Sequence, residues 1–285
     1  MRWEDFRTST NVSDRRGMGG AAGGLGIGTV MILGLLGWAL GIDPRLLIGG
    51  AEMIANRGPA VEQQGRTGTP EDRQGRFAAA VLGNTEDVWK EVLPAQTGRA
   101  YRPPTLVLFT GATRSRCGQG VSAMGPFYCP LDQSIYIDLA FFQEMERRFQ
   151  AGGEFAYAYV IAHEVGHHIE NLMGILDQVN ARRREVSQTE ANQLSVRVEL
   201  MADCLAGVWA HHSHQRWNSL EQGDVEKAVK AAEAIGDDAL QRKSQGRVVP
   251  DSFTHGSSEQ RVRWLMTGLK SGQVRSCDTF RARRL

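Results

Sequence analysis

The chain has 285 residues, enough for one large domain or two small ones, and its 41% hydrophobic content is ample for a core. Its 33 basic and 32 acidic residues nearly cancel, so it lacks the basic field of a nucleic-acid-binding protein, and no nucleic-acid partner is expected. Four cysteines, Cys117, Cys129, Cys204 and Cys277, contain no CxxC pair, which argues against a structural thiolate zinc site.

Taken in chain order, residues 1–20 read as an N-terminal arm carrying Arg2, Arg7, Arg15 and Arg16. No charged residue falls between Gly17 and Ile42, and LGIGTVMILGLLGWALGI is apolar all round. Residues 21–42 as a helix would be about 33 Å long, enough to span a bilayer once. The arginines before it and the sparser Arg45 and Arg57 after it predict a cytoplasmic N-terminus. That places the rest of the chain outside the cytoplasm, anchored at an inner membrane by one uncleaved helix. GxxxG spacings at Gly24/Gly28 and Gly37/Gly41 would let such helices pack into a homo-oligomer. Residues 43–74 are rich in Gly, Pro, Gln and charge and read as a flexible linker. The soluble domain is expected at 75–285.

Within it, Arg76 to Leu93 has helical spacing and stops before Pro94. TLVLFTG (105–111) and SIYIDL (134–139) read as strands, with FYC (127–129) as hairpin partner of the second. An extracytoplasmic location permits disulfides: Cys117 and Cys129 flank a turn-rich segment that a local bridge would staple, which leaves Cys204 with Cys277. Helices are expected near 139–149, from Glu154 to about Leu176, from Glu190 to His212, from Asp224 to Ile235 and from Glu259 to Leu269. The expected fold is α+β and helix-dominated, with a small sheet early in the domain.

The helix from Glu154 carries His163-Glu164-Val165-Gly166-His167. Residues at i and i+4 share a helix face, so the two imidazoles can converge on one Zn²⁺, with Glu164 beside the metal-bound water as general base. A metzincin-like site would need Gly at 170 and His at 173, where the chain has Glu170 and Met173. Glu170 is too far along the axis to ligate with both histidines and reads as a solvated or supporting carboxylate; His168 points away from the metal face. The third ligand is expected from RVELMADCLAG, where Glu199 would complete a His₂Glu site. Asp203, one turn on, would accept the free N–H of a ligand histidine. His211, His212 and His214, at a helix C-terminus, read as structural.

HEVGHH followed by VELMADCLAGVWAHH resembles the bacterial neutral zinc metallopeptidase family (YpfJ-like), of the wider gluzincin class, and the likeness extends over nearly the whole chain. The resemblance implies a zincin-like domain, zinc on His163, His167 and Glu199, and a catalytic Glu164; it names no substrate. FTHGSSEQRVRW (253–264) is similar to the Thr-His segment of membrane-linked gluzincins. That similarity implies His255 as a donor to the oxyanion of the tetrahedral intermediate, with Arg261 supporting the same region. Gly256 departs from the Pro usual in those relatives. The expected function is a membrane-anchored zinc endopeptidase acting on peptides or proteins. The competing reading is a membrane-tethered interaction or chaperone-like protein with a non-catalytic metal site.

Overall fold

The apolar runs TLVLF and SIYID lie side by side in parallel, Leu106 opposite Ile135 and Leu108 opposite Ile137. In the computed structural model, which describes residues 1–17 and 65–285, they are β3 (Thr105–Phe109) and β7 (Ser134–Asp138) of a five-stranded sheet. β6 (Phe127–Cys129) pairs antiparallel with β7 as expected and forms one edge. Alternation along the strands divides the side chains. Leu106, Leu108, Ile135 and Ile137 join the main helical core. Val107, Phe109, Cys129 and Tyr136 form a second cluster.

The other side of β3 is covered by β1 (Val12–Asp14), which runs parallel to it and is followed outward by β2 (Arg66–Thr67). The expectation of an arm at 1–20 separate from a domain at 75–285 is therefore corrected: residues 1–14 and 66–285 make one compact unit. Trp3 packs edge-on against Phe77 at 5.4 Å, and Phe6 is buried. Arg7 pairs with Glu86 at 2.8 Å, and Ser9 and Asn11 donate to the same carboxylate. A side chain at Gly83 would put its Cβ 2.2 Å from the Arg7 carbonyl, so that glycine lets the N-terminal segment lie against its helix. Residues 15–65 are a second unit, of which only 15–17 and 65 are described. The expected transmembrane helix at 21–42 and most of the linker at 43–74 lie outside the described residues. Among the described residues, no helix is long and apolar enough to cross a membrane.

The helices follow the expected order with shifted ends. α1 (Arg73–Thr97) is capped by Asp72 and runs through Pro94 to Gly98, because the missing N–H falls in an exposed last turn. After α2 (Ala140–Phe149), the central α3 (Glu154–Leu172) ends earlier than expected. Gly174, at φ 77°, turns the chain into a separate α4 (Ile175–Arg183). α5 (Gln188–Trp217) begins on a capping box, Ser187 with Glu190. α6 (Asp224–Ala234) is followed by an unexpected α7 (Asp237–Gln245). α8 (Ser258–Ser271) begins on a second capping box, Ser257 with Gln260. A hairpin of β4 (Ala112–Ser115) and β5 (Gly118–Val121) was also not expected.

Three glycines set how closely the site helices approach. A Cβ at Gly166, inside the HEVGH run, would lie 2.8 Å from the Ala202 carbonyl oxygen, so α3 and α5 touch backbone to backbone there. Where α8 crosses α5, a Cβ at Gly268 would lie 1.8 Å from the Cys204 oxygen and one at Gly207 would lie 2.2 Å from the Leu265 oxygen. The two expected disulfides are present. Cys117–Cys129 ties the β4–β5 turn to β6, and Cys204–Cys277 ties α5 to the C-terminal segment.

Candidate metal centre

One helical turn separates His163 from His167, and their rings stand 4.8 Å apart at 84°. Because Gly166 admits α5 so closely, Glu199 reaches both: its Oε2 is 3.2 Å from Nε2 of His163 and its Oε1 3.6 Å from Nε2 of His167. One donor atom from each of the three lies within 4.8 Å of the other two. The residues expected as ligands from sequence are thus brought together from two helices.

Each imidazole is held from behind. Nδ1–H of His163 donates to Oδ1 of Asp203 at 2.8 Å, and Nδ1–H of His167 donates to Oε2 of Glu170 at 2.8 Å. Both rings therefore turn Nε2 toward Glu199, the orientation that carboxylate partners impose on metal-binding histidines. Two imidazole nitrogens and one carboxylate oxygen make a donor set suited to Zn²⁺. Glu170 is fully buried and holds His167, so it is not solvated. Its spacing, three residues after His167 on the same helix, was the signal available in the sequence.

Asp203 is fully buried and accepts four hydrogen bonds: from His163, from the Tyr159 hydroxyl at 2.6 Å, and from Nε and Nη2 of Arg261 at 2.9 Å each. Arg261 reaches it because the glycines of the α5–α8 crossing let those helices close. Tyr159, one turn before His163, was not singled out in the sequence.

The charges follow from burial and pairing. Burial opposes ionisation of Asp203, yet the Arg261 and His163 charges hold its carboxyl below the usual range. Glu199 is likewise held low against burial, by the charge of His167 and by its contact with His163. Burial works against a charge on His163, but the Asp203 charge and hydrogen bond outweigh it and carry its pKa to about 10. A cation at this site therefore competes with a proton. Glu164, 6% exposed, is pushed up from the ordinary carboxylate range by burial. Burial raises Glu170 to about 7.

His255 lies in the loop before α8. No described hydrogen bond joins it to the three donors; its pKa is raised chiefly by its hydrogen bond to Asp237, against burial, and further by the Glu199 charge. Its ring is held by Oδ1 of Asp237 at 3.1 Å, while Oδ2 of Asp237 accepts the backbone N–H groups of Thr254, His255 and Gly256. Asp237 begins the unexpected α7, and nothing local in the sequence marks it as a partner of the loop. Gly256 has φ 92°, which a proline cannot adopt, so this loop takes a different backbone path from a Thr-His-Pro segment. His211 and His212 bond backbone carbonyls and His214 accepts a backbone N–H, in line with structural roles.

Over residues 1–280 the sequence matches the family described as "Putative neutral zinc metallopeptidase". The chain belongs to this family. It is 46% identical to the uncharacterized protein YpfJ of Escherichia coli K12, over 98% of this chain and 99% of that one. It is 40% identical to the uncharacterized protein Rv2575 of Mycobacterium tuberculosis H37Rv, over 77% of this chain and 75% of that one. No solved structure gives a significant match.

Proposed function

We propose that the protein is a zinc-dependent peptidase that cleaves peptide bonds outside the cytoplasm. The reading is carried by the convergence of His163, His167 and Glu199 beside a buried carboxyl group, Glu164, whose pKa burial raises above the ordinary carboxylate value. A purely structural metal site has no use for such a group. Zinc, if held by His163, His167 and Glu199, would supply Lewis acidity for a water molecule and a carbonyl.

The chain's own groups perform the rest. Glu164 takes the proton of the attacking water and delivers it to the leaving amine. His255, oriented by its contact with Asp237, donates to the oxygen on which charge develops. β6 is the edge strand next to α3, and its outer side aligns an extended substrate backbone by strand addition. Two disulfides favour an oxidising compartment, and residues 1–14, being part of the same unit, share it.

The test uses the full-length chain, metal analysis by mass spectrometry and a broad peptide library. Glu164→Gln is expected to keep zinc and lose about 10²–10⁴ in turnover, and Glu199→Ala to lose zinc. Wild-type turnover in Glu164→Gln, or no cleavage by the zinc-loaded wild type, overturns the reading.

A further inference from the structure

The third histidine of the HEVGHH run takes no part in the metal group. His168 is fully buried between the rings of Tyr101 and Tyr128, whose centroids are 6.1 and 5.5 Å from its own. Its proton can be assigned from its partners. The Arg102 carbonyl can only accept, so Nε2–H of His168 donates to it, at 2.6 Å. Nδ1 is then the acceptor and takes the Tyr128 O–H at 2.9 Å. The Tyr128 oxygen accepts in turn from Nδ2 of Asn171 at 3.0 Å.

Tyr128 is the middle residue of β6. Its neighbours point the other way: Phe127 stacks on Tyr136 at 4.8 Å, and Cys129 is bonded to Cys117. Tyr128 faces α3, the helix that carries both ligand histidines. Among the described residues β6 has only β7 as a strand neighbour, through three register pairs, and backbone pairing alone holds such a short edge weakly. The disulfide ties β6 to the β4–β5 turn, whereas its tie to α3 is the hydroxyl held by His168 and Asn171, and His168 is the residue immediately after a candidate metal ligand.

We infer that His168, with Asn171, is a positioning residue for the edge strand: through Tyr128 it fixes β6 relative to the metal ligands, and hence the register in which an extended peptide lies across them. The inference rests on the peptidase reading for its substrate, but the tether itself is independent of activity. A buried histidine suits the task because one small ring donates to the segment before β3 and accepts from β6, bracing both strands against one point of α3.

Tyr128→Phe removes a single oxygen and tests this in the full-length, zinc-loaded chain. Amide hydrogen exchange at β6 is expected to quicken by about tenfold while α3 stays protected and the zinc content is unchanged. On a peptide with one wild-type cleavage point, KM rises by about tenfold, kcat changes little, and cleavage spreads to neighbouring bonds. His168→Gln, which keeps a donor and an acceptor, gives a smaller change in each readout. Unchanged exchange at β6 in Tyr128→Phe overturns the tether. Loss of zinc in step with kcat also overturns it, because the network then serves His167 rather than β6. If the wild type cleaves no peptide, the peptidase reading falls and the substrate half of the inference with it, and the exchange rates still decide the tether.

Discussion

The guanidinium of Arg261 spans both oxygens of Asp203, Nε to Oδ2 and Nη2 to Oδ1, each at 2.9 Å and with both side chains buried. Asp203 in turn holds Nδ1 of His163, so Arg261 stands one carboxylate away from a candidate metal ligand. Removing the arginine leaves a buried carboxylate without its counter-charge. Arg261→Ala is expected to destabilise the fold by about 3–5 kcal/mol in urea unfolding. In the folded fraction it should also weaken zinc binding by about 10–100-fold in a chelator competition. Arg261→Lys recovers little of either, because an ammonium cannot bridge two oxygens as the planar fork does. Wild-type zinc affinity in Arg261→Ala would show that the arginine only supports the fold.

The α5–α8 crossing makes a second prediction. A methyl group at Gly268 has nowhere to go, since its carbon would lie 1.8 Å from the carbonyl of Cys204, next in the chain to Asp203. Gly268→Ala is expected to cost about 3 kcal/mol or more, above the usual range for overpacking, because backbone rather than a side chain must move. Urea denaturation measures this directly. A variant as stable as wild type would mean that the helices separate freely.

His168 gives a pH dependence with a definite sign. Burial lowers its pKa to about 4, below the ordinary histidine value, so between those values the unfolded chain holds a proton that the folded chain does not. Its contribution to stability is complete above about pH 6.5 and is lost progressively as the pH falls toward 4, by about 3 kcal/mol in all. Unfolding free energies of wild type and His168→Gln, measured from pH 7 to pH 4, should converge by that order. Parallel curves would contradict a neutral buried imidazole.

Local pattern made the candidate metal site readable. His163 and His167 are one turn apart, and Glu199 and Asp203 are the two acids of an otherwise apolar helical run that would bury them at a cost. Both cysteine pairings were also within reach, one from the turn-rich segment it closes and the other by elimination. What could not be read was long-range. Glu86 is half of an anchor only because Arg7, Ser9 and Asn11 fold onto it from far along the chain. A three-residue strand such as β1 has too few residues for alternation to register. Asp237 binds the His255 loop through three backbone amides, and backbone amides carry no sequence signature.

The pairing of β1 with β2 has a consequence for topology. Ser13 sits opposite Thr67 and Asp14 opposite Arg66, so the chain leaves the sheet and rejoins it at one place. Paired strands lie about 4.8 Å apart, whereas a bilayer's hydrocarbon core is about 30 Å thick. Both strands therefore occupy one side of any membrane, and the compact unit of residues 1–14 and 66–285 lies there with them. Reporter tags at the two termini of the full-length chain should be found in the same compartment.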